Sequence, residues 1–163
     1  MRIAIASDHT GFDLLPELTD WLVSLGHQCQ NFGPTEFRAE DDYPDYVNQA
    51  AAAVAQGICE VGIIIGGSGQ GEAMVANRLP KVRCAVFYGT AVPRRPIDIA
   101  GHTSRDPYEV LRLSRQHNDA NMISLAQRFL SLEEIKQAIN IWLATTFSGD
   151  DRHQRRIAKI DRS

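Results

Sequence analysis

Val61-Gly62-Ile63-Ile64-Ile65-Gly66-Gly67-Ser68-Gly69-Gln70-Gly71-Glu72-Ala73-Met74-Val75-Ala76-Asn77-Arg78 is the stretch on which the fold turns. A short apolar run rich in isoleucine predicts a buried strand, and a helix-forming run follows it. Between them lie Gly66, Gly67, Gly69 and Gly71 with Ser68 and Gln70, and then Glu72 in the first predicted helical turn. Glycine lets backbone N–H groups approach a ligand closely, and a helix N-terminus favours anions. The two standard nucleotide readings both fail. A dinucleotide fingerprint counted from Gly67 needs glycine at its sixth position, where Glu72 stands. A Walker A loop needs Gly-Lys-Ser/Thr, and no lysine is near. A tight strand-to-helix turn with nothing bound is the bland alternative. Against it stands a carboxylate beside an anion-favouring helix start, which suggests chemistry on a neutral group whose negative charge develops during reaction.

Outward from this stretch, strand and helix patterns alternate. Ile3 to Ala6 predicts a first buried strand, and Phe12, Leu14, Leu15, Leu18, Trp21, Leu22 and Leu25 recur at helical spacing before Gly26. A second strand is expected at 27–32, a loop at 33–42, and an alanine-rich helix at 45–56. The fourth strand is expected at 82–87 and the fifth at 122–125, with helices at 107–117, 132–145 and 150–160. Alternation of this kind implies parallel strands joined by right-handed crossovers. The expected fold class is α/β: a Rossmann-like open parallel sheet of about five strands with helices on both faces. The 163 residues suit one domain, 1–163, with an inserted loop at about 90–108 and a C-terminal helix at about 150–160. Ligands of such sheets bind outside the carboxyl ends of the strands. Those ends carry Ser7-Asp8-His9, the 66–72 loop, the segment after Phe87 and the residues after Leu125.

Composition excludes several function classes. A net charge of −3 and a pI near 5.9 give no footprint for nucleic acid or an anionic membrane. Cys29, Cys59 and Cys84 are odd in number and share no Cys-x-x-Cys spacing, which points to buried thiols in a reducing compartment. The apolar run at the N-terminus is too short for a signal peptide, and nothing approaches transmembrane length, so a cytoplasmic setting is expected.

Four groups of residues could carry chemistry. Asp8 and His9 follow the first strand, where Asp8 could equally cap the next helical turn. Tyr43 precedes a proline and reads as either packing or pocket lining. His117-Asn118-Asp119-Ala120-Asn121 offers an imidazole with amides and a carboxylate to orient it, or else a helix cap and turn. Arg152 and Arg156 share a helical face, Arg128 could join them, and an anion between like charges would relieve their repulsion. A solvated basic helix is the alternative for that tail. The five histidines show no metal-ligand spacing, and no metal is expected.

Five motifs in order, SDHTGF, DDYPDY, GGSGQGEAMVANR, LSRQHNDAN and RHQRR, resemble ribose-5-phosphate isomerase type B and the related galactose-6-phosphate isomerase subunits. The resemblance covers nearly the whole chain except about 90–108. It implies an aldose–ketose isomerase that acts on a phosphorylated sugar through a cis-enediolate, with no cofactor. It also implies a homodimer or homotetramer with active sites shared between subunits. On that resemblance Asp8 and His9 contact the sugar, Tyr43 lines the pocket, and Ser68 bonds a hydroxyl. Gly67, Gly69, Gln70 and Gly71 bring the loop amides to the enediolate oxygen. His117 assists ring opening beside Asn118, and Arg128, Arg152 and Arg156 hold the phosphate.

Two departures stand out. Many relatives carry a cysteine as proton-moving base where this chain has Gly66; another branch uses a glutamate matching Glu72, and the resemblance therefore points to Glu72 as base. A carboxylate at a helix N-terminus is expected to stay ionised unless burial raises its pKa. Cys59 and Cys84 read as core. The long 90–108 segment carries Arg94, Arg95, His102 and Arg105 and reads as a flap, a subunit contact or a surface excursion. The leading expectation is interconversion of ribose 5-phosphate and ribulose 5-phosphate. A hexose 6-phosphate isomerase and a non-catalytic sugar-phosphate binder are the alternatives.

Overall fold

A computed structural model describes residues 1–161; Arg162 and Ser163, the last two of the expected domain, lie outside the described residues. The strands are β1 (Arg2–Ser7), β2 (Gln28–Asn31), β3 (Val61–Gly66), β4 (Cys84–Phe87) and β5 (Met122–Ala126). The helices are α1 (Leu14–Ser24), α2 (Tyr43–Ala55), α3 (Gln70–Ala76), α4 (Glu109–Gln116), α5 (Leu132–Ala144) and α6 (Asp151–Ile160). Every strand pair is parallel, in the order β2-β1-β3-β5-β4. The α/β open sheet expected from the alternation is the one observed.

Alternation along each strand builds the two faces. Ile3, Ile5, Ile63, Ile65, Ile123 and Leu125 pack with Leu15, Leu18 and Leu22 of α1, Leu111 of α4, and Ile135, Ile139 and Trp142 of α5. Ala4, Ala6, Ile64 and Met122 point the other way, onto Val47, Ala50 and Ala51 of α2 and Ala76 of α3. Each isoleucine so enclosed contributes roughly 1.5–3 kcal/mol relative to exposure. Some helix starts differ from the periodic pattern. α2 begins at Tyr43 rather than Asp45, because Pro44 sits in the first turn, where no amide donor is needed. No helix among the described residues is long and apolar enough to cross a membrane.

This topology marks one place on the sheet. β1 leads to α1 on one face, β3 to α3 on the other, and β5 back to α5 on the first. The connections therefore diverge on both sides of β3 at its carboxyl end, and divergence of this kind opens a ligand crevice. The Gly66–Glu72 loop lies there.

Two further features matter below. Residues 88–108 form an arm between β4 and α4. Its two limbs are joined by Ala91 N donating to Pro107 O (2.9 Å) and Ile97 N to His102 O (2.7 Å). β4 is an outer strand, and Asn77 covers its open side: Nδ2 donates to Cys84 O (2.9 Å) while Oδ1 accepts from Cys84 N (2.8 Å).

Candidate active site

The loop after β3 is tied down by its neighbours. Gln127 N donates to Gly66 O (2.9 Å) and Arg128 N to Gly67 O (3.2 Å). Ser124 Oγ donates to Gly69 O (2.8 Å), and Gly69 adopts a left-handed conformation (φ 73°) that a side chain would strain. The chain then enters α3 at Gln70, with Ser68 and Gln70 exposed. Tyr43 lies against Gly71, its hydroxyl 2.6 Å from where a Cβ at that position would stand. The Arg128 guanidinium covers Gly67, with Cζ 3.2 Å from the equivalent point.

Glu72 is buried under this loop, only 5% exposed. Its carboxylate occupies the space next to Gly66: a Cβ built on Gly66 would lie 1.9 Å from Glu72 Oε1 and 2.6 Å from Oε2. Burial pushes the Glu72 carboxyl above its ordinary pKa; its own backbone amide pulls it back, the Asp8 carboxylate raises it further, and Arg128 lowers it. Burial thus raises the Glu72 pKa, the exception that the expectation of an ionised carboxylate allowed for. Burial and the same carboxylate push the half-buried Cys84 thiol up to about 12, which leaves it an inert neighbour.

Asp8 takes the capping role that its position allowed. Oδ1 caps the following 3-10 turn, accepting from Thr10 N (2.9 Å) and Thr10 Oγ1 (2.5 Å). Its other oxygen stands 3.7 Å from His9 Nδ1. His9 is held by a partner that the motif reading passed over, Asp41: Oδ1 accepts from His9 N (3.0 Å) and lies 2.7 Å from His9 Nδ1. Burial works against the Asp41 charge, but hydrogen bonds from the His9 amide, the His9 ring and Tyr46 hold its carboxyl below the usual value. Asp41 thus engages His9 through Nδ1 and leaves Nε2 without a hydrogen-bond partner among the described residues. Asp8, His9 and Asp41 bring possible ligand atoms within 4.8 Å of one another. These atoms already bond each other and Thr10, an arrangement that suits orienting a substrate hydroxyl. Gln127 also escaped sequence reasoning. Its Nε2 donates to Thr10 O (2.9 Å), joining the loops after β1 and β5.

The remaining expected residues stand elsewhere. His117 caps α4 and, with Asn118, lies at the amino edge of the sheet. There Asn121 N donates to Arg83 O (3.1 Å), at the start of β4, and Gly62 N donates to Asn121 O (2.9 Å), at the start of β3. His117 stacks on His153 of α6, ring centroids 4.3 Å apart, so α6 carries Arg152 and Arg156 to the same edge. Arg83 fastens the turn, with Nε donating to Asn118 O (2.9 Å) and Nη2 reaching Asp119 O (2.9 Å) and Oδ2 (3.1 Å). Asp119 is left-handed (φ 45°), a strain that such bonds sustain. The length of β5 separates this cluster from the loop, roughly 16 Å at about 3.3 Å per residue. Arg128 therefore belongs with the loop, and does not join Arg152 and Arg156 within one chain.

The family model described as Ribose/Galactose Isomerase matches residues 3–95 and 99–160. The chain belongs to the Ribose/Galactose Isomerase family. It is similar to ribose-5-phosphate isomerase B of Mycolicibacterium paratuberculosis, 32% identical over 96% of this chain and 87% of that one. Its identity to ribose-5-phosphate isomerase B of Escherichia coli is 35%, covering 98% of this chain and 93% of that one. The crystal structure of ribose-5-phosphate isomerase B from Mycoplasma genitalium with bound ribulose-5-phosphate superposes with a TM-score of 0.83 at 33% identity, covering 99% and 94% of the two chains. The internal break in the Ribose/Galactose Isomerase match, 96–98, falls within the arm.

Proposed function

We propose that this protein interconverts ribose 5-phosphate and ribulose 5-phosphate through a cis-enediolate, with Glu72 as the base that moves the proton between the two carbons. The observation that carries the role of Glu72 is its seat: the carboxylate fills the space where a side chain at position 66 would begin. A carboxyl raised by burial is a better proton acceptor near neutrality than an exposed one. The backbone amides of Gly67, Ser68, Gly69 and Gly71 supply donors for the oxygen on which charge develops, a preorganised device whose single donors are worth about 10²–10³ in kcat elsewhere. Asp8, His9, Tyr43, Ser68 and Gln70 bind the sugar hydroxyls, with Asp41 fixing the His9 ring.

The separation of the two clusters supports a site completed by a second copy. His117 for ring opening, Asn118 beside it, and Arg152 and Arg156 for the phosphate come from the partner and meet Arg128 of the first chain. A homodimer or homotetramer follows. The three free thiols fit a reducing, cytoplasmic setting.

An isomerase assay on purified protein with EDTA present, across phosphopentoses and phosphohexoses, tests the reading. Turnover of ribose 5-phosphate is expected, and no turnover of any sugar would overturn it. Glu72→Gln should lower kcat by about 10²–10⁴ with substrate binding retained. A near-normal kcat would move the base elsewhere.

A further inference from the structure

The arm between β4 and α4 is not absorbed by the reading above. Its acidic groups are all engaged. Asp98 accepts from the Ala100 amide (2.9 Å), the His102 amide (3.1 Å) and the His102 ring (2.5 Å). Asp106 takes Arg112 Nε (2.7 Å) and Tyr108 N (2.8 Å), and buried Glu109 takes Ser104 Oγ (2.6 Å). Its basic groups are not. Arg94, Arg95 and Arg105 have no carboxylate partner among the described residues, yet all three line one cavity of about 400 Å³. A protein whose net charge is −3 thus sets three permanent positive charges around one hollow.

The backbone behind the lining is also constrained. Pro93 and Pro96 fix backbone torsions on one limb, and Thr103 adds a hydroxyl on the other. The rungs Ala91–Pro107 and Ile97–His102 hold the limbs together. Preorganisation of this kind lowers the ordering cost of binding. Guanidinium groups match phosphate oxygens two at a time, and a volume near 400 Å³ lies within the range of small-ligand pockets.

We propose that this arm carries a second anion site, formed by Arg94, Arg95 and Arg105, that takes a small phosphate ester or diphosphate. None of the residues of the candidate active site lines it. The site does not depend on the isomerase reading, and the two can fail separately.

Calorimetric titration with inorganic pyrophosphate tests it on the unsubstituted protein and on three variants. The wild type should show two classes of site per chain. The variant R94A/R95A/R105A should lose one class, with at least a tenfold weakening, while its assembly mass and its KM for ribose 5-phosphate stay the same. The variant R152A/R156A should lose the other class. Because the three arm arginines are exposed, the triple variant should keep the wild-type melting temperature, and R105E alone provides a second test that should weaken the same class. An isotherm unchanged in both arm variants overturns the proposal. So does a smaller assembly, which would make the arm a subunit contact, or a raised KM with both pyrophosphate classes intact, which would make it part of the catalytic pocket. Loss of all isomerase activity in the wild type alongside a retained arm-dependent class would leave this site standing and remove the isomerase reading.

Discussion

At position 66 a single methyl group would collide with the Glu72 carboxylate, and the outcome can be stated because the group that must yield is a side-chain end. Gly66→Ala is expected to fold normally and to displace Glu72 by an ångström or more, which costs about 10²-fold in kcat. Unchanged kcat would show that the seat is irrelevant to the chemistry. The raised pKa of Glu72 has two consequences. In the rate profile, activity should fall with acid as Glu72 is protonated, at a pH above the ordinary carboxylate range. In the stability profile the sign is the reverse. A carboxyl whose folded pKa is raised stabilises fully below its unfolded value, and that contribution is lost as pH rises through the folded value. Glu72→Gln should therefore melt higher than wild type at neutral pH, with the difference vanishing under acid. The identity of this carboxylate, and of the glycine beside it, was legible in the sequence. Its burial was not, since groups far along the chain, Asp8 and Arg128 among them, come near it only in the folded protein. Asp41 was hidden for a similar reason: it reads as one acid in a loop, and its partner His9 lies 32 residues away.

Among the elements, the turn between α4 and β5 is where a local pattern acquires its shape from afar. His117 to Asn121 reads as a cap and turn, and it is one, but Arg83 from the start of β4 and Arg115 from α4 hold it. Arg115 also stacks over Trp142, 4.9 Å from the ring centroid, and burial lowers its pKa. Arg83→Ala removes several bonds to the Asn118 and Asp119 carbonyls at once. It should cost about 1–3 kcal/mol in stability and reduce kcat, because the strained backbone that presents His117 loses its tie. A loss of stability with kcat intact would separate the turn from catalysis. The strands were readable because alternate residues face opposite helical layers, as Ile63 and Ile65 do against Ile64. Helix starts were less so: Pro44 reads as a break before α2 and is in fact part of its first turn.

For the whole molecule, the decisive fact is that the loop and the His117 cluster occupy opposite edges of one sheet. In a parallel sheet this follows from sequence order, since the loop comes after β3 and the His117 cluster before β5; what no strand's residues carry is their order in space, β2-β1-β3-β5-β4. That gap is also why Arg128 could be grouped with Arg152 and Arg156 on paper. If two copies complete each site, inactive Glu72→Gln and His117→Ala proteins, mixed and reassembled, should regain about a quarter of wild-type activity, since half of the dimers then hold one intact site of two. Mixtures that stay inactive would confine the site to a single chain. If the chain does pair with its own copy in one orientation, it must also avoid meeting it in others. The Asn77 side chain bears on this, for by holding both backbone groups of Cys84 it imitates a neighbouring strand. With the amide and carbonyl of Cys84 already taken, the start of this outer strand offers less of a template for sheet growth from chain to chain.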